Sequence, residues 1–199
     1  MKSAISYAVL LSLFVLVPAT FATGQTNCAN SFKTPFRQGS ELRLDLRAGD
    51  IDILGSDEAI VQVDCELKEP AKAKDVNITF DDNGKYGHLR IQGGPNGDVR
   101  LRIRVPKESN LIVRCTAGDV DMTGIRGNKD VSLRAGDLTI QVGNPEDYAV
   151  AEASVTAGDV HASAFGVHKG GLFRKFRHSN RAGKYSLRAS LWAGDIKLR

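Results

Sequence analysis

From Glu41 onward the chain alternates apolar and polar residues with a period of two, in short bursts broken by glycine-containing turns. Leu42, Leu44, Leu46 and Ala48 share one parity, while Glu41, Arg43, Asp45 and Arg47 hold the other. That pattern predicts a strand with one buried and one solvated face. After Gly49 and Asp50 the parity shifts, and Ile51 and Ile53 take the inward side. A turn between two strands produces such a shift, because glycine tolerates positive φ and aspartate bonds nearby backbone.

Further strands are predicted at Ile60–Val63, around Val76, Ile78 and Phe80, at Leu89–Ile91, and from Val99 to Val105. Asp81-Asp82-Asn83-Gly84 and Gly93-Gly94-Pro95-Asn96-Gly97 read as tight connections. Arg100, Arg102 and Arg104 stripe the last of these strands and read as its solvated face. Nothing after residue 22 reads as a helix.

The same unit then recurs. Ala-Gly-Asp begins at Ala48, Ala117, Ala135, Ala157 and Ala193, with flanks LDLRAGDIDI, VRCTAGDVDM, VSLRAGDLTI, VTAGDVHA and LWAGDIKL. From Ala117 the starts are 18, 22 and 36 residues apart, and the longest interval holds an insertion near 166–184. Units this small cannot each enclose a core, so they must stack. The near-identical flanks favour a single all-β domain of parallel β-helix or β-solenoid type with short repeated rungs; an antiparallel sandwich is the alternative. Ile196–Arg199 then reads as an end rung with an open edge.

Residues 1–22 read as an export signal: Lys2, an apolar run from Ala8 to Val17, and small residues before the cleavage point. Residues 23–40 read as a polar N-terminal extension with Phe32 and Phe36 as anchors, and 41–199 as the repeat domain. Export implies a periplasmic, envelope-associated or secreted protein. Without the signal, 177 residues remain with 26 basic and 23 acidic side chains, a balance that points to no nucleic-acid partner. Three cysteines, Cys28, Cys65 and Cys115, allow one disulfide in an oxidising compartment, and sequence leaves all three pairings open. Cys115 falls on the inward parity and reads as a buried thiol.

No residue set reads as catalytic, and no cofactor or metal is expected. Gly49, Asp50, Gly118, Asp119, Gly136, Asp137, Gly158, Asp159, Gly194 and Asp195 read as structural turns. A column of aspartates could attract calcium, but like charges at strand spacing repel and a calcium-repeat motif is missing. His88, His161, His168 and His178 show no metal-type spacing; His161 is placed outward on a strand and the other three in loops. Ser154, His161 and Asp159 lack a nucleophile elbow. Gly93-Gly94 and Gly170-Gly171 lack a phosphate-binding pattern. The insertion carries Lys169, Arg174, Lys175, Arg177, Arg181 and Lys184, followed by Arg188, interleaved with Leu172, Phe173, Phe176 and Tyr185. That mixture suits an anionic glycan or lipid surface, or else a loop packing its aromatics on the domain while its charges face water.

Residues 99–142, VRLRIRVPKESNLIVRCTAGDVDMTGIRGNKDVSLRAGDLTIQV, resemble the "putative adhesin" domain family of exported bacterial proteins, in Val105-Pro106 and the repeated Gly118-Asp119 and Gly136-Asp137. The resemblance extends over 41–199, weakest across 60–95 and interrupted at 166–184. It implies a right-handed β-helix-like fold, a surface or adhesive role, and no catalytic residues. The expectation is a non-enzymatic exported envelope scaffold or adhesin-like domain. Its partner would be an envelope polysaccharide, a lipid surface or a protein; a polysaccharide-processing enzyme is the opposing class.

Overall fold

The computed structural model describes residues 22–94, 99–169 and 172–199. The export signal lies almost wholly outside them, as do Pro95, Asn96, Gly97, Gly170 and Gly171. The chain runs β1 (Ala22–Asn27), β2 (Phe32–Pro35), β3 (Glu41–Ala48), β4 (Asp50–Ser56), β5 (Ile60–Leu67), β6 (Val76–Asp82), β7 (Tyr86–Gly93), β8 (Val99–Pro106) and β9 (Asn110–Ala117). It continues with β10 (Val120–Thr123), β11 (Lys129–Ala135), β12 (Leu138–Ile140), β13 (Tyr148–Ala157), β14 (Val160–Ala162), β15 (Val167–Lys169), β16 (Leu172–Ser179), β17 (Tyr185–Ala193) and β18 (Ile196–Leu198). The only helical segments among the described residues are short 3-10 segments such as Pro70–Asp75.

The strands form two nine-stranded mixed sheets. The first has the order β1-β6-β7-β3-β9-β11-β17-β13-β16, the second β15-β14-β18-β12-β10-β4-β8-β5-β2. Each Ala-Gly-Asp unit sends its leading strand to the first sheet and its trailing strand to the second. The alternating residues meet between the sheets: Leu42, Leu44, Ile53, Val113, Val131, Leu138, Val160 and Ile196 are all buried in one continuous cluster.

The turns stack through two backbone bonds each. Gly49 N–H donates to Ala117 O and Ile51 N–H to Asp119 O, and the pattern repeats from Gly118 to Ala135 and from Val120 to Asp137. The next two steps break sequence order. Gly136 donates to Ala193, and Gly194 donates to Ala157. The units therefore stack first, second, third, fifth, fourth. In a β-helix each unit adds to the one before it; here the repeated units keep sequence order only through the third, and β5–β8 intervene in the chain between the first and the second. The architecture is an all-β domain with two extensive mixed sheets, parallel at their centres and antiparallel toward their edges.

The physical reason lies in residues 163–184. After β14 the chain reverses into β15, antiparallel to β14, and β16, antiparallel to β13. The outer side of the fourth unit is thus covered, and β17 and β18 add on its inner side. The expected open edge at Ile196–Arg199 is corrected accordingly: β18 lies between β12 and β14.

At the other end, β1 pairs with β6 and β2 with β5. Phe32 and Phe36 are buried against Phe80, with ring centroids 5.9 and 6.1 Å away. A Cys28–Cys65 disulfide ties the residue just after β1 to β5, leaving Cys115 as the buried free thiol.

Candidate binding face

The outward residues of the first sheet line up in rows, because parallel strands in register place equivalent positions about 4.8 Å apart. One row runs Asp45, Arg114, Ser132, Ser190, Ser154, Lys175. Beside it, just before each turn, stand Arg47, Thr116, Arg134, Trp192 and Thr156. Apart from Lys175, these two rows line an open groove of about 1300 Å³ across the sheet. Trp192, the sole tryptophan, stands in it with 64% of its surface exposed.

Most charged groups on this face are already paired, Asp45 with both Arg43 and His88. In the next row Asp130 accepts from Arg114 at 2.8 Å, and Glu152 takes both Arg177, at 2.5 Å, and Arg188, at 3.3 Å. Arg134 is exposed and has no ion pair among the described residues. Ser190 Oγ donates to Ser132 Oγ at 3.1 Å, which fixes the hydroxyl row.

The basic insertion does not form one patch. Arg177 is bound to Glu152, Lys184 lies over the Tyr185 ring at 5.2 Å, and Lys169 Nζ donates to Lys175 O. Arg174, Lys175 and Arg181 are exposed. Phe176 is buried against Phe165 at 5.1 Å, and the side chains of Leu172 and Phe173 lie outside the described residues. By register, Lys175 continues the Ser154 row onto the sheet edge.

The aspartates of the repeated turns bond across units. Asp119 Oδ1 accepts from Asp137 N–H, Asp137 Oδ1 from Asp195 N–H, and Asp195 Oδ1 from Asp159 N–H, at 2.9–3.1 Å. In these three turns the carboxylate accepts from the backbone of the neighbouring unit. Burial pushes the Asp137 carboxyl up, but the Lys197 ammonium and the Asp195 amide more than offset it and hold it below its ordinary value. Asp50 pairs with Arg100 at 3.3 Å.

The histidines depart from their expected contexts. His88 is on β7, His168 on β15 and His178 on β16, none in a loop. His88 Nε2 lies 2.6 Å from Asp45 Oδ2. His161 and His168 are paired across β14 and β15, with their Nδ1 atoms 2.7 Å apart, and Asp159 Oδ2 is 3.9 Å from His161 Nε2. The one sequence signal for this pairing is the short span between the two histidines, and it is legible only once a hairpin is known.

No protein-family model matches the chain, and no curated protein does. Among solved structures, the chain is similar to a "putative cell adhesion protein" from Clostridium sporogenes ATCC 15579, with a TM-score of 0.56 and 15% identity over 85% of this chain and 98% of that one. A "putative adhesin" from Bacteroides fragilis NCTC 9343 aligns over 85% of this chain and 96% of its own, with a TM-score of 0.35 and 9% identity. The first likeness is one of fold; the second adds no argument.

Proposed function

We propose that this protein is an exported, non-catalytic binding domain of the cell envelope, and that the groove on its first sheet holds an anionic polysaccharide. The observation that carries this reading is Trp192, exposed in a groove with Arg47, Arg114, Arg134 and a row of hydroxyls. An indole face stacks on a sugar ring, guanidinium groups meet carboxylates or sulfates, and serines and threonines bond ring hydroxyls. A flat array spaced by the strands suits an extended polymer. The Clostridium sporogenes protein of similar fold is described as a "putative cell adhesion protein", which agrees with an adhesive role. Lys175 and Arg174 extend the positive surface at the sheet edge; Lys169, Arg177, Arg181 and Lys184 contribute to its long-range field. We further read the stacked units as solenoid-like, with residues 1–22 an export signal and 23–40 an N-terminal extension that covers β5 and β6.

The single tryptophan makes the test direct, because its emission reports on the groove alone. Titrating the protein with polygalacturonate should shift or quench that emission saturably, with affinity falling as salt rises, while neutral dextran does nothing. Arg134→Ala and Trp192→Ala, the latter followed by retention on immobilised polymer, should weaken binding by about tenfold each, on the order of 1.4 kcal/mol. Weakening by Arg174→Ala with Lys175→Ala alone would move the site to the sheet edge. No response to any anionic polymer would reject the reading.

A further inference from the structure

We propose that Asp159, His161 and His168 form a binding site for a late first-row divalent cation of the zinc type, at the edge of the second sheet. This goes beyond the polysaccharide reading and does not rest on it.

The site follows from strand geometry. Asp159 and His161 are two residues apart, so their side chains leave the same face. His168 lies directly opposite His161 in the antiparallel β14–β15 pair. Cross-strand partners hold their Cβ atoms close enough for two imidazoles to meet. They do meet: the ring centroids are 4.2 Å apart, and one ligand atom from each of the three residues lies within 4.8 Å of the others. The two Nδ1 atoms are 2.7 Å apart; an ion held about 2.0–2.1 Å from each would part the two rings slightly. Two nitrogens and one carboxylate oxygen suit zinc, which commonly takes three protein ligands and leaves a position for water.

The second sheet supports the arrangement. In the equivalent outward position the other units carry Asp52, Asp121, Thr139 and Lys197, so the fourth unit alone presents a histidine there. Lys197, the cross-strand neighbour of His161, turns its ammonium to Asp137 Oδ2 at 3.0 Å. Asp159 N–H is anchored to Asp195 Oδ1 at 2.9 Å, which sets the aspartate against the turn of the fifth unit. The ligands are partly exposed and open to solvent exchange. A bound ion would clip the short β14–β15 hairpin to the column of turns.

The test is calorimetric titration of the purified full chain, stripped with EDTA, with zinc chloride. Cobalt absorption serves as a second readout of coordination. The expected result is one zinc per chain, with cobalt bands of nitrogen and oxygen coordination and a raised Tm in zinc, since an ion that binds only the folded state stabilises it. His161→Asn, His168→Gln and Asp159→Asn should each lower the affinity by at least about tenfold. His88→Gln and His178→Gln should leave it unchanged. His168 is exposed, so His168→Gln keeps the test valid if another variant fails to fold. Absence of zinc binding by the native chain, or binding that survives both His161→Asn and His168→Gln, would overturn the proposal.

Discussion

Lys129 sits on the inward parity of β11, in line with Val131 and Leu133, and is 1% exposed. Its ammonium donates to Gly127 O at 3.1 Å and to Tyr148 Oη at 2.7 Å, and the tyrosine hydroxyl donates to Val142 O at 3.2 Å. Burial disfavours the charged form and lowers its pKa from 10.5 to about 8. Between those values the unfolded chain holds a proton that the folded chain has lost. Stability contributed by this group therefore rises with pH across the window and is lost as pH falls through about 8. Urea unfolding should show a gain on the order of 1–2 kcal/mol between about pH 7.5 and 9.5, and Lys129→Met should flatten it. A variant that keeps the slope would assign it elsewhere. Cys115 is a second residue-scale case, its thiol pushed up to about 11 by burial. Without reductant, native protein should resist alkylation, and denatured protein should yield a single thiol per chain, the other two cysteines being joined.

At the scale of the element, the recurring turn explains its own composition. Gly136 has φ +119°, and a Cβ there would collide with the Gly118 carbonyl oxygen of the unit beneath. Gly194 meets the Gly136 carbonyl in the same way. Both conformation and close approach therefore require glycine. Gly136→Ala should cost about 3 kcal/mol or more in denaturant unfolding. Gly143→Ala, at φ +77° but with open space around it, should cost only about 1 kcal/mol. Equal effects would mean that φ rather than stacking sets the requirement. Asp137→Ala removes the acceptor for Asp195 N–H, a loss of about 1 kcal/mol.

At the scale of the molecule, the order of stacking is what matters most. Deleting one end unit from a repeat stack trims it, because the remaining units keep their neighbours. Here β17 and β18 fill the space between the third and fourth units. A chain ending at Lys184 should lose its cooperative unfolding transition, since β11 and β13 would each lack a partner. A sharp transition in that chain would contradict the insertion. The Cys28–Cys65 bridge acts at the same scale, closing 37 residues of chain. On chain entropy it contributes about 4 kcal/mol, and Cys28→Ala with Cys65→Ala should lower the unfolding free energy toward that amount.

Much of the local structure was legible beforehand. Leu42, Leu44, Leu46, Ile51 and Ile53 are inward by alternation and are buried; a period of two depends only on the pleat of a single strand. The glycines of the turns were legible for the same reason, since φ is a local property. Lys129 shares that inward parity, yet its chemistry argues against burial, and only the tyrosine and carbonyl partners reconcile the two. Alternation also says which face a residue takes without naming the strand beside it. Five near-identical units can stack on one another in many orders, so their shared pattern cannot rank the fifth before the fourth. The disulfide partner, the meeting of His161 with His168, and the gathering of Trp192 with Arg134 in one groove all depend on that order or on long-range pairing. By itself the sequence determined strands, faces and turns, which are set within a few residues by sterics and solvation. Tertiary structure alone decided which units became neighbours, because neighbour choice is settled by packing across the whole domain.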